Sequence, residues 1–263
     1  MAPENVEVGV GGVMAADLMK KLATAVFVTF ALLLGATAWA GDARGPVVVE
    51  LFTSQGCSSC VPADRLMGEL AALDDIVALS FHVDYWDYIG WTDPFASAET
   101  TARQHAYARA LGQRNVYTPE IVIGGVTHRV GSDTDAVRAA IREVRETAGA
   151  GAKVTIEMNG PDVLRVTVGA SHYSGAADVL LVRYDARHET PVSRGENAGR
   201  TVINHNVVRE FRKIGSWSGQ ETSFDIRWSE ITDRGSDSCA VIVQASGTGA
   251  VLGAARFDMM AER

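Results

Sequence analysis

Cys57 and Cys60 stand in the run Cys57-Ser58-Ser59-Cys60, a spacing at which two sulfurs can close a structural disulfide, hold a soft metal or exchange disulfides with another molecule. Cys239 is the only other cysteine, too few for a disulfide-stapled scaffold in a chain of 263 residues. Cys57 follows the loop Thr53-Ser54-Gln55-Gly56 and opens a segment whose apolar Val61, Leu66, Leu70 and Leu73 recur at near-helical spacing. Pro62 falls in the first turn of that predicted helix, where a proline is tolerated. Unpaired N–H groups and the positive end of the helix dipole stabilise a thiolate at such a position, lowering a thiol pKa from about 8.5. Cys57 is therefore the expected attacking thiol and Cys60 the resolving one. Cys60 must lose its proton to resolve a mixed disulfide, and Glu50, which interrupts an apolar strand shortly before the motif, is the candidate acceptor. The competing reading has Glu50 at an edge or paired with an arginine, because burial without a role or partner is costly.

The elements that must position these groups follow from the pattern. Pro46 to Phe52 and Ile76 to Asp84 read as buried strands flanking the helix, a strand–helix–strand unit with a right-handed crossover and a parallel sheet. Ser97 to Leu111 reads as a second helix, Ile121 to Gly124 and Val126 to Val130 as two short strands, and Asp133 to Thr147 as a last helix with Ser132 as N-cap. The order is βαβ, then α, then ββα. Between the second strand and second helix, His82 to Phe95 concentrates aromatic and acidic residues in a loop, where binding groups are often held. Packing is favoured for Trp86 and Trp91, with Asp84 and Asp87 as polar contacts available to a substrate. The small residues Ala148 to Ala152 read as a flexible linker. Beyond it, seven short runs (Lys153 to Met158, Val163 to Val168, Ala177 to Tyr184, Thr201 to Phe211, Thr222 to Trp228, Cys239 to Gln244 and Val251 to Met259) suggest a β-sandwich. Arg194 to Arg200 reads as a polar loop able to help the first domain or a partner dock, and Cys239 as a buried, inert thiol.

The order of elements, the Cys-x-x-Cys after the first strand and the Thr118-Pro119 before the third resemble the thioredoxin superfamily. That resemblance implies a cis Pro119 facing the cysteine pair and a Thr118 backbone that hydrogen-bonds a bound thiol substrate. More narrowly, Glu50-Leu51-Phe52-Thr53-Ser54-Gln55-Gly56-Cys57-Ser58-Ser59-Cys60, Asp84-Tyr85-Trp86-Asp87-Tyr88-Ile89-Gly90-Trp91, Val116-Tyr117-Thr118-Pro119, Arg194-Gly195-Glu196-Asn197-Ala198-Gly199-Arg200 and His205-Asn206-Val207-Val208-Arg209 resemble the bacterial exported family called domain of unknown function 1223. Val61 departs from that pattern, standing where a second proline would precede Pro62. The implied architecture is an α/β thioredoxin-like domain with a glutaredoxin-like core over residues 41–148, a linker at 149–152, and an all-β sandwich-like domain over 153–263.

Composition bounds the rest. With 24 Lys plus Arg against 32 Asp plus Glu, the chain is acidic, and no basic run after Lys21 would grip a phosphate backbone, so nucleic acid is not an expected partner. At the N-terminus, Lys20 and Lys21 precede an apolar run from Leu22 to Trp39 that closes on Ala38-Trp39-Ala40. This reads as a secretory signal peptide ending at Ala40, with Met19 as a plausible true start, rather than a membrane anchor, which needs about 20 apolar residues. The expected protein is thus exported, periplasmic or secreted, with no membrane span after cleavage. Its expected activity is cofactor-free thiol–disulfide exchange, in a direction the sequence leaves open, with exported protein or small-molecule thiols and disulfides and a redox partner. The alternative is a non-catalytic binding protein or a copper-handling protein, since two thiolates with a histidine or methionine suit copper. His82, His105 and His128 are scattered singly, and no metal ligand set is assigned.

Overall fold

The computed structural model describes residues 45–147, 149, 151–232 and 235–259, so the expected signal peptide lies outside the described residues. Strand β1 (Val47–Thr53) leads through a 3-10 turn (Ser58–Cys60) into helix α1 (Val61–Ala71) and strand β2 (Ile76–His82). A second 3-10 turn (Asp84–Ile89) precedes helix α2 (Ala98–Ala110), strands β3 (Glu120–Ile123) and β4 (Thr127–Val130), and helix α3 (Thr134–Thr147). Ser97 caps α2 by accepting from Thr100 N, whereas α3 starts on Asp133, whose carboxylate accepts from Ala136 N, not on Ser132. Seven strands follow: β5 (Val154–Met158), β6 (Val163–Val168), β7 (Ala177–Pro191), β8 (Thr201–Trp217), β9 (Thr222–Arg227), β10 (Ser238–Ala245) and β11 (Val251–Asp258). A one-turn helix α4 (Trp228–Thr232) separates β9 from β10.

These strands do not form a thioredoxin-like domain followed by a sandwich. Eight of them make one mixed sheet in the order β11-β10-β7-β8-β2-β1-β3-β4, and β5-β6-β9 make a separate three-stranded antiparallel sheet. The sequence expectation fails at one edge. β2, read as part of a separate first domain, pairs in parallel with β8 at Ser80 and Val207. The join is reinforced by side chains: Ser80 Oγ donates to His205 O at 2.7 Å, and Asn206 Nδ2 donates to Ala78 O at 2.8 Å. Asn206 adopts φ 47°, a left-handed conformation asparagine tolerates, which turns its amide toward β2. Gly68 allows α1 to approach β8, because a Cβ there would lie 2.7 Å from His205 Nε2.

Core packing confirms the single sheet. One cluster fills the face under α1 and α3 with Val49, Leu51, Leu66, Met67, Ile121 and Ile141. On the opposite face, Val48, Phe52 and Phe81 of the first half join Val182, Val208 and Ile242 of the second in one continuous cluster. The three-stranded sheet packs Leu164, Val166 and Val168 against Val179, Leu181, Val241 and Val243. β10 is therefore covered on both faces, Ala240 and Ile242 to one side and Cys239, Val241 and Val243 to the other, which accounts for its unbroken apolar run. The expected linker is pinned at Ala152, which is buried and whose N donates to Leu252 O at 2.7 Å.

Candidate functional site

β1 delivers the chain into a tight turn: Gly56 N donates to Ser54 Oγ at 3.1 Å and Cys57 N to Ser54 O at 3.1 Å. Cys57 is the N-cap of the 3-10 turn that runs on into α1, and Cys57 and Cys60 are joined as a disulfide with Cα atoms 5.4 Å apart. Thr118 Oγ1 donates to Cys57 Sγ at 3.4 Å, and Ser59 Oγ lies 3.3 Å from the same sulfur. The threonine proton is aimed there because Trp86 Nε1 already donates to Thr118 Oγ1 at 2.7 Å, occupying an oxygen lone pair. The Thr118–Pro119 peptide is cis. Trp86 and Trp91, assigned to packing from the sequence, thus reach the site through their indole N–H groups, Trp91 Nε1 donating to Gln55 Oε1 at 3.2 Å.

Both cysteines are buried, and the far half of the chain holds the turn that carries them. The loop between β7 and β8 lies over the disulfide turn. Glu196 Oε2 accepts from Ser58 N at 2.9 Å, and Asn197 Nδ2 donates to Gln55 O at 2.9 Å and Cys57 O at 3.1 Å. The Ser58 N–H lowers the Glu196 pKa below the usual carboxylate value. Gln55 ties the same turn to the arms of the hairpin, donating from Nε2 to Thr190 Oγ1 at 2.9 Å and Asn204 Oδ1 at 3.0 Å.

A buried polar pocket lies behind the pair. Asp64, one helical turn after Cys60, accepts from Thr53 Oγ1 at 2.9 Å through Oδ1, while its Oδ2 lacks a well-formed hydrogen bond. Burial pushes its pKa up to about 7, against the opposing influence of His82 and the Thr53 hydrogen bond. Nearby, Asp93 Oδ2 accepts from Gln55 N and lies 2.7 Å from His82 Nδ1, so Nδ1 carries the proton of that contact. Burial acts to raise the Asp93 pKa, but His82 and the donated hydrogen bonds win and hold it below the ordinary value.

The sequence-predicted residues divide accordingly. Cys57, Cys60, Thr118 and Pro119 are gathered at one point. Glu50 is not: it alternates onto the face opposite α1, where Arg103 binds it bidentately at 2.6 and 2.9 Å and Tyr107 OH donates at 2.5 Å. Asp84 and Asp87 are taken up by Thr101 Oγ1 and Asp93 N. Cys239 is buried in the third cluster with its thiol pKa pushed up to about 12 by burial. Among the described residues, no three His, Cys, Asp or Glu side chains gather as a metal-binding group. Sequence reasoning missed Asp64 and gave Gln55 and Asp93 no individual role, whereas Asn197 lies in the Arg194–Arg200 loop expected to help the first domain dock. Asp64 carried a signal, since Cys60, Ala63, Asp64 and Met67 form one helical stripe and a carboxylate in an otherwise apolar stripe needs an explanation.

Fold and site together define a mixed-sheet protein with a buried Cys-x-x-Cys disulfide roofed by a loop of its own C-terminal half. The chain belongs to a family described as proteins of unknown function, DUF1223, whose model matches residues 48–244. A crystal structure of an Agrobacterium tumefaciens protein, a structural-genomics target, is similar at 33% identity with a TM-score of 0.72, covering 81% of this chain and 94% of that one. No curated protein matches the sequence.

Proposed function

We propose that this chain is an exported thiol–disulfide oxidoreductase in which Cys57 is attacked by, or attacks, a partner's sulfur and Cys60 completes the exchange. The observation that carries the reading is the Thr118 hydroxyl aimed at Cys57 Sγ, a donor placed where a Cys57 thiolate would form. Such a donor, at the head of α1, favours the thiolate over the thiol. A single residue pair does the chemistry without a cofactor, and the partners are exported proteins or small molecules bearing thiols or disulfides.

The burial of both sulfurs favours a second reading, a binding protein in which the disulfide only fixes the turn. Titrating the Cys57/Cys60 couple against glutathione, with thiol alkylation followed by mass, separates the two. A potential of roughly −270 to −120 mV supports exchange, whereas one below about −300 mV supports a structural link. Role assignment is tested by trapping: Cys60→Ala accumulates mixed disulfides with thiol partners and Cys57→Ala does not. Equal trapping by both variants overturns the assignment.

A further inference from the structure

Three buried polar atoms near the disulfide lack well-formed hydrogen bonds: Asp64 Oδ2 on α1, His82 Nε2 on β2 and Asn204 Nδ2 on β8. Each residue is otherwise anchored, Asp64 by Thr53, His82 by Asp93 and Asn204 by Gln55. Leaving a single buried donor or acceptor unpaired costs about 1–3 kcal/mol, so three in one pocket call for a reason. His82 acts on Asp64 through charge and Asn204 comes close enough to act on it as a side-chain donor, which places the three groups around one carboxylate. Cys60 is four residues before Asp64 in continuous helical conformation, and residues so spaced are neighbours on one helix face.

Resting on the exchange reading above, we infer that Asp64 exchanges a proton with Cys60 Sγ, and that His82, held by Asp93, together with Asn204 positions and tunes that carboxyl group. In the opening direction, an incoming thiolate forms a bond to Cys57 Sγ. The pair of electrons from the Cys57–Cys60 bond leaves on Cys60 Sγ, and the proton on Asp64 passes to that sulfur. Closing reverses each step: Asp64 takes the proton from Cys60, the Cys60 thiolate attacks Cys57 Sγ, and the partner's sulfur departs as thiolate. A carboxyl group with a pKa of about 7 can be acid or base near neutrality, unlike an ordinary aspartate. His82 suits the positioning role because its Nδ1 proton is committed to Asp93, which leaves Nε2 as the nitrogen turned to the pocket. The charged or titratable groups set around Asp64 are Cys60 on its own helix, His82 from β2 and Asp93 from the following loop; Thr53 of β1 and Asn204 of β8 are neutral.

The test is reduction of the disulfide by dithiothreitol in the full mature chain, followed by alkylation and mass and divided at each pH by the thiolate concentration of the reagent. The normalised rate of the wild type is expected to fall with rising pH through an inflection near pH 7 as Asp64 loses its proton. Asp64→Asn removes the inflection and slows the reaction at pH 6 at least tenfold, with the two rates converging above pH 8. Asp64→Glu restores an inflection. Asn204→Leu, which takes away a group that lowers the Asp64 pKa, moves the inflection to higher pH without touching either cysteine. Carboxyl carbon NMR of the oxidised protein gives a readout independent of turnover: one aspartate titrates near 7 and its signal is lost in Asp64→Asn. An Asp64→Asn variant that keeps the wild-type inflection and rates within twofold overturns the inference while leaving exchange intact. A wild-type disulfide that no dithiothreitol concentration opens overturns the exchange reading and this inference with it.

Discussion

Glu50 and Asp64 are both buried carboxylates within ten residues of the disulfide, yet they lie on opposite faces of the sheet in opposite circumstances. Glu50 is saturated: Arg103 grips both oxygens, Tyr107 donates to one of them, and Arg103 in turn lies over the rings of Phe81, Tyr107 and Phe211. Arg103 also donates to Gln244 Oε1 at 3.2 Å, so the cluster ties α2 to both halves of the chain. Asp64 is half-satisfied, with one oxygen on Thr53 and the other without a well-formed hydrogen bond. A fully paired buried charge holds a fold together and a partly paired one retains the freedom to change protonation state.

Substitution at Glu50 is the severest test of this contrast. Glu50→Gln leaves Arg103 buried without its counter-charge and is expected to cost about 3–5 kcal/mol in urea unfolding. The pH inflection of disulfide exchange should stay in place; its loss would make Glu50 a participant and erase the contrast. Asp64→Asn is expected to act with the opposite sign. Between about pH 4 and pH 7 the folded wild type keeps a proton on Asp64 that the unfolded chain has released, so stability declines as pH rises through that window and levels off above it. The gap between 3.8 and about 7 corresponds to roughly 4 kcal/mol, and Asp64→Asn should remove up to that much of the decline, seen as a higher urea midpoint at pH 8. The smallest effect is on the roof. Asn197→Ala deletes two hydrogen bonds to the disulfide turn, lowering stability by about 1–2 kcal/mol and speeding reduction by small thiols several-fold. Unchanged reduction in that variant would mean that the roof does not control access.

The sequence made the local parts of this arrangement readable and concealed the distant ones. Helical periodicity placed α1 and its N-terminal cysteine, and a short apolar run with a single interrupting Glu50 placed β1, because both signals lie within a few residues. It could not place β8 beside β2, since that pairing joins Ser80 to Val207 and no local pattern records which strand fills a free edge. The two-domain expectation failed for that reason, whereas Glu50 follows the alternative reading in which it pairs with an arginine. Glu50 alternates away from α1 by strand geometry, a fact that needed the register of β1 against β2 and β3. The loop at Arg194–Arg200 was visible as polar and glycine-bearing, but its position at Cys57 depends on β7 running on to Pro191, well past the Tyr184 at which its apolar run ends.

The hydrogen bond from Asn197 to Cys57 spans 140 residues of chain. A polypeptide made from its N-terminus therefore presents its cysteine pair long before the residue that roofs it has been synthesised. Until β8 arrives, β2 is a bare sheet edge and the disulfide turn is open to any passing thiol or oxidant; closing a loop of that length costs chain entropy before its contacts repay it. The birth order of the segments gives the same two sulfurs an early, open life and a later, sheltered one.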